Sequence, residues 1–239
     1  MKALTAQSKK DRPVILISFS GIDGAGKSTQ IAKLLTYLRE AQLSVLQLAF
    51  WDDVVAFPSL RAGFSHKFLD STGEIGAPGK PAKRNDKNTQ KWYLTIPRAM
   101  LFMTDAINLR RVFNRARKSN SDVIVFDRFI YDQLATLPLE KAWARSYARL
   151  LLRIAPRPDV GYLLDAVPEA ALARKPEYPL DFLHKYRNRY LRLRDLSGMA
   201  LIDPLTPDEV HAAIAEKLRT TCSHVEQLEK ASYSSVAST

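Results

Sequence analysis

Residues 13–35 read PVILISFSGIDGAGKSTQIAKLL. Val14–Phe19 has the near-continuous apolar character of a parallel strand buried on both faces. Beyond it, Ile31, Leu34, Leu35 and Leu38 recur at helical spacing. Between the two lies Gly21-x-x-x-x-Gly26-Lys27-Ser28, with glycines where a backbone turning inward has no room for a Cβ. That spacing at a helix N-terminus predicts a loop whose N–H groups surround phosphate oxygens. A plain glycine turn is the competing reading, and a strand before the loop with a helix after it weighs against that. A nucleoside triphosphate is the expected ligand: Lys27 faces the β and γ phosphates, and Ser28 offers its hydroxyl to Mg²⁺.

Four more short apolar runs follow: Leu43–Phe50, Asp122–Asp127, Val160–Asp165 and Met199–Asp203. Helical patterns separate them, which predicts βαβ units and a five-stranded parallel sheet flanked by helices. Three of the runs end in an acid, and ligands of open parallel sheets bind beyond the carboxyl ends of the strands. Asp127 followed by Arg128 sets an acid for a metal shell or a nucleophile beside a cation for a phosphate; the alternative is a pair that merely orders a loop. Asp165 and Asp203 are expected to cap or bridge loops. Trp92–Arg117 reads as mainly helical, with Pro97 either in the first turn or at a kink.

At 239 residues the chain suits one α/β domain, expected over residues 13–220. Residues 1–12 are polar and basic and read as a flexible N-terminus, neither signal peptide nor membrane span. Asp70–Gln90 is rich in Gly, Pro and Lys and reads as a mobile excursion. Residues 221–239 read as a polar, disordered tail. The formal net charge is +11. Part of it falls on helical stretches such as Arg145, Arg149 and Arg153, which suggests a solvated face; no nucleic-acid motif accompanies it, so nucleic acid is not the expected partner. One cysteine, Cys222, and no apolar run of membrane-spanning length place the protein in a reducing, cytoplasmic setting.

Several of these stretches together resemble the thymidylate kinase family of P-loop nucleoside monophosphate kinases. FSGIDGAGKST, residues 19–29, is similar to the family's phosphate loop, including Asp23 within it. MLFMTD at Met100–Asp105 and VIVFDRF at Val123–Phe129 resemble its central pattern. YLLDAVPEAALAR, residues 162–174, resembles the fourth strand and the entry to the lid, and YRNRYLRL, residues 186–193, the helix after the lid. LIDPLTPDEV, residues 201–210, resembles the last strand and the loop against which adenine packs.

The resemblance implies a P-loop NTPase fold with a short lid, ATP and Mg²⁺ as cofactors, a small-molecule phosphoryl acceptor that is thymidine monophosphate by default, and a homodimer built partly on the Trp92–Arg117 segment. It implies donor binding by Gly21, Asp23, Gly24, Ala25, Gly26, Lys27, Ser28 and Thr29, with Ser28 and Asp127 at the metal. Lys27, Asp127, Arg128 and the lid residue Arg174 would carry catalysis, and Phe50, Phe102 and Asp105 would fall at the acceptor.

The departures cluster at that acceptor. After the second strand, where the family shows an arginine close to a proline, this chain has Trp51, Asp52 and Asp53, and the arginine expected after the central acid is Ala106. Carboxylates there suit a dianionic acceptor poorly. Deoxynucleoside kinases, a related P-loop family, carry an acid and a tryptophan near this strand end, which makes Asp52 or Asp53 a candidate general base toward an uncharged hydroxyl. A solvated acidic turn is the plainer expectation. The alternatives to a monophosphate kinase are thus a kinase of a nucleoside or sugar-like alcohol, and a non-catalytic nucleotide-binding regulator.

Overall fold

The computed structural model describes residues 14–55 and 95–222. The expected N-terminus, the Asp70–Gln90 excursion and nearly all of the tail lie outside them. Five strands form one sheet: β1 (Ile15–Ser20), β2 (Val45–Ala49), β3 (Val123–Asp127), β4 (Val160–Leu164) and β5 (Ala200–Ile202). All neighbours are parallel, in the order β2-β3-β1-β4-β5.

The central strand β1 is buried along its whole length. Its alternation divides the core in two. Leu16 joins Ile124, Phe126 and Leu163 on one face, while Ile15, Ile17 and Phe19 join Val125, Tyr162 and Leu164 on the other. The second face is covered by α1 (Lys27–Glu40) and α7 (Pro207–Thr221). The helical spacing of Ile31, Leu34, Leu35 and Leu38 buries all four there, as that pattern predicts. The first face is covered by α2 (Thr95–Ala116), α3 (Ile130–Leu134), α4 (Ala142–Ile154), α5 (Pro168–Arg174) and α6 (Leu180–Ser197).

The start of the sheet is fixed by acids. The Asp159 carboxylate accepts the Leu16 N–H at 2.7 Å. Asp122 accepts both the N–H of Ser44, at 2.9 Å, and its hydroxyl, at 2.6 Å. Each bond ties the first residues of one strand to the segment leading into its neighbour.

Some boundaries differ from the sequence reading. β2 stops at Ala49, and Phe50–Val54 winds into a π-helical turn closed by Val55 N–H to Phe50 C=O at 3.1 Å. The Asp53 carboxylate accepts the Ala49 N–H at 2.6 Å, satisfying a donor on the open edge of β2. Pro97 lies in the first turn of α2, where its missing N–H costs no helical bond. Of the α4 arginines, Arg149 and Arg153 are exposed, whereas Arg145 donates to the carbonyls of Leu139 and Glu140 at 3.1 and 2.8 Å.

Candidate functional site

The loop from Gly21 to Gly26 leaves the carboxyl end of β1 and runs into α1. Two of its glycines have separate reasons to lack a side chain. At Gly24, φ is +82° and a Cβ would stand 2.5 Å from the Ala171 carbonyl oxygen, so α5 rests backbone to backbone on the loop. At Gly26, φ is +86° and a Cβ would meet nothing within 4 Å. The loop is therefore packed on one side and open on the other. Ser28 and Thr29 are exposed on the first turn of α1.

Lys27, by contrast, is buried, and its ammonium folds back to donate to the carbonyls of Gly21 and Ile22 at 2.7 and 2.9 Å. Burial, with repulsion from Arg128, lowers its pKa to about 8, although Asp132, Asp23 and Asp127 pull the other way.

Asp127 is the last residue of β3, in register with Phe19 of β1, two residues before Gly21. The next residue, Arg128, has φ +63°. Its guanidinium bonds the Asp23 carboxylate on the loop and faces Asp132 of α3 at 3.5 Å. Burial works against its charge, but Asp132 and Asp23 raise its pKa above the ordinary arginine value. For Asp23, burial likewise opposes ionisation, and Arg128 and Lys27 overcome it, leaving its carboxyl below the usual range.

Beside this cluster lies a cavity of about 270 Å³. Gly21 and Ile22 of the loop line it, together with the polar side chains of Asp23, Arg128, Asp132 and Thr136. Aromatics from the α6 side form another wall: Tyr178, Phe182 and Tyr186, four residues apart, stack with ring centroids at 4.7 and 4.1 Å. Tyr190 continues the row, and Trp51, from the π-helical turn, also lines the cavity.

The cavity does not gather every residue singled out for the acceptor. Phe50 is fully buried in the core, edge-on to Trp51 with centroids 5.3 Å apart. Phe102 is buried too, with the Arg98 guanidinium 5.3 Å from its ring centroid. Asp105 is fully buried and accepts from the Gln133 side-chain amide. None of the three lines the cavity. The two rings are assigned by resemblance, and a ring at such a position serves as core here. Asp52 and Asp53 are exposed, and Asp53 is engaged by the end of β2. Arg174, at the end of α5, is exposed and donates to Ala170 C=O at 3.1 Å; Lys175 pairs with Glu177 at 3.0 Å. Asp165 bridges as expected, holding Arg187 through two bonds of 2.7 Å.

The sequence reading missed Asp132, Thr136 and the aromatics Tyr178, Phe182, Tyr186 and Tyr190 as parts of the site, and noted Trp51 there only as a departure. The four-residue spacing of Phe182, Tyr186 and Tyr190 was a usable signal, because it sets them on one face of α6, and Tyr178 extends the stack from just before the helix. Among the described residues, no cluster of three or more His, Cys, Asp or Glu side chains could hold a metal, and no helix is long and apolar enough to cross a membrane.

A parallel sheet of this order, with a phosphate loop between its central strand and the following helix, defines a P-loop NTPase. No family model matches the chain. Among curated proteins it is similar to the thymidylate kinase of Chlorobium chlorochromatii, 27% identical over 232 residues that cover 86% of this chain and 95% of that one. It is 28% identical to the thymidylate kinase of Chlorobaculum tepidum, over 87% of this chain and 98% of the relative. The probable thymidylate kinase of Sulfolobus acidocaldarius is 28% identical, over 75% and 82%. In fold it matches the crystal structure of thymidylate kinase from Ehrlichia chaffeensis, with a TM-score of 0.54, 16% identity, and coverage of 86% of this chain and 99% of the other. The protein is a P-loop kinase that resembles the thymidylate kinases.

Proposed function

We propose that the protein transfers the γ-phosphoryl group of ATP to a nucleoside monophosphate, with thymidine monophosphate the first choice from its relatives. The observation that carries this reading is the juxtaposition of a phosphate loop, open at Gly26 and supplied with a buried lysine, and an Arg128-lined cavity with an aromatic wall. ATP fits the loop: the space in front of Gly26 is the cradle a Cβ would fill, with Ser28 and Thr29 exposed at its helical end. Asp23, Gly24 and Ala25 complete its contour. Lys27 exchanges the carbonyls of Gly21 and Ile22 for phosphate oxygens, and Arg128 steadies the phosphoryl group on the acceptor side. Arg174, at the end of α5, reaches over the transferring group when the lid closes.

Mg²⁺ fits as well, held by the Ser28 hydroxyl and Asp127, and supplies charge neutralisation when bound. The acceptor's flat ring lies against the α6 aromatics and Trp51. The remaining work is positioning and electrostatics.

A kinase of an uncharged hydroxyl is the second reading. It is favoured by the two carboxylates, Asp23 and Asp132, that accompany one guanidinium among the described cavity residues. We further infer a homodimer, because Met100 and Ile107 of α2 and Trp143 and Leu150 of α4 are exposed on two helices that pack together. A cytoplasmic location suits a nucleotide kinase with one free cysteine. Product analysis with ATP and a panel of thymidine monophosphate, other monophosphates and thymidine tests the assignment. Thymidine diphosphate is the expected product; phosphorylation of thymidine alone would establish the second reading.

A further inference from the structure

Arg128 holds a left-handed backbone that a residue with a Cβ rarely adopts, and such conformations persist where their surroundings over-determine them. The surroundings here converge on Asp132, one helical turn later. Its Oδ1 accepts the Tyr190 hydroxyl at 2.8 Å and faces Arg128 Nη1 at 3.5 Å. Its Oδ2 accepts the Ser20 hydroxyl at 2.6 Å and the Phe129 N–H at 3.0 Å. Of the roughly four acceptor positions a carboxylate offers, three take hydrogen bonds, from the end of β1, the turn after β3 and α6, and Arg128 faces the same group as an ion pair. Asp132 is thereby held in place by its neighbours. It is a fixed negative charge, braced from three sides, although it lines the cavity.

Asp23 is different. It sits on the glycine loop with its side chain 20% exposed, against 1% for Asp132. Arg128 thus lies between an acid that is anchored and an acid at the edge of the site.

We propose that Asp132, braced by Ser20 and Tyr190, is the positioning residue that holds Arg128 over the cavity, while Asp23 gives up its place on the guanidinium to phosphoryl oxygens at the acceptor. The inference rests on the kinase reading but not on which acceptor is used. Two anionic partners for one guanidinium make this exchange possible: a phosphoryl group replaces one carboxylate without stripping Arg128 of its other partner.

The test is a double-mutant cycle of Asp132→Asn with Arg128→Ala, read as kcat and KM for both substrates. The acceptor is whichever member of the panel the parent enzyme turns over, so a wrong choice of acceptor shows in the parent and does not enter the cycle. Asp132→Asn keeps the shape and removes the charge. Its acceptor KM should rise about tenfold or more, with the KM for ATP within about threefold of the parent. In the Arg128→Ala background the same change should cost less than about twofold in acceptor kcat/KM. Equal rises in both KM values, or additive losses, would overturn the proposal and make Asp132 a structural residue. Tyr190→Phe and Ser20→Ala each remove one brace and leave the charge, so they serve if the asparagine variant fails to fold. Each should raise the acceptor KM about two- to fivefold with the ATP KM unmoved, and no such split in either refutes the idea.

Discussion

Substituting Gly24 by alanine probes the seat of α5 on the phosphate loop, and Gly26→Ala provides its control. Both glycines have left-handed backbones, φ +82° and +86°. Alanine in that conformation costs about 1–2 kcal/mol relative to glycine at either site. Their surroundings then separate them. A Cβ on Gly24 would lie 2.5 Å from the Ala171 oxygen and 3.0 Å from its C and Cα. These are backbone atoms, so no rotamer change relieves the contact; α5 or the loop must move by half an ångström or more. Overpacking of that kind costs about 1–3 kcal/mol. A Cβ on Gly26 meets nothing within 4 Å. Gly24→Ala should therefore lose about 2–5 kcal/mol of stability and Gly26→Ala about 1–2. Urea unfolding monitored by circular dichroism measures both. ATP titration should give the control a larger loss of affinity than its stability cost suggests, because its methyl enters the space assigned to phosphate. Unfolding free energies that agree within about 0.5 kcal/mol would refute the contact as a source of specificity for glycine.

Lys27→Ala should leave the fold intact and cut transfer by roughly 10²–10³-fold or more, as removal of a preorganised electrostatic group does; unchanged turnover would exclude the assigned role. Lys27 in the free enzyme titrates at about 8, so its ammonium is present below that pH and lost above it. The kcat/KM for ATP, which reports the free enzyme, should fall as pH rises through about 8, while kcat holds once bound phosphate raises the pKa again. The same lysine binds its proton more weakly folded than at its ordinary 10.5, so between about pH 8 and 10.5 its contribution to stability increases with pH. Changing Asp52 and Asp53 together to asparagine should alter kcat by less than about threefold, because both are exposed outside the cavity; a loss of about 10²–10⁴ would mark one of them as a general base. Light scattering should show a dimer at micromolar concentration that Ile107→Asp with Leu150→Asp converts to monomer, and a monomeric parent refutes the assigned interface.

The strand, glycine loop and helix that form the proposed donor side were legible because they are local. Strand, loop and helix occupy one stretch of chain, and the glycine and lysine spacing is read without knowing what lies opposite. The cavity proposed for the acceptor depends on distant pairs. Asp23 and Arg128 are 105 residues apart, and Ser20 and Asp132 are 112 apart. Asp132 looked like any polar residue on a short helix, and only the packing of β1, α3 and α6 brings three hydrogen-bond donors and the Arg128 guanidinium to it. Phe50 and Phe102 show the converse limit. The resemblance implied that both would pack against an acceptor; both are buried and neither lines the cavity, because which side of a buried layer faces a cavity is decided by neighbouring elements. Trp51, one residue from Phe50, reaches the cavity because the chain leaves β2 in a π-helical turn, which no periodic pattern announced.

Asp122 and Asp159 tie strand starts together at the end of the sheet away from the glycine loop. Pairing is thereby decided at one end and ligand chemistry at the other. For an engineer, this makes the mouth of the protein a replaceable part: turns beyond β2 and β3 can be exchanged for those of a kinase with another acceptor without disturbing which strand lies beside which. Changes at Asp122 or Asp159 should act in the opposite sense, loosening the frame while leaving the preference among acceptors untouched.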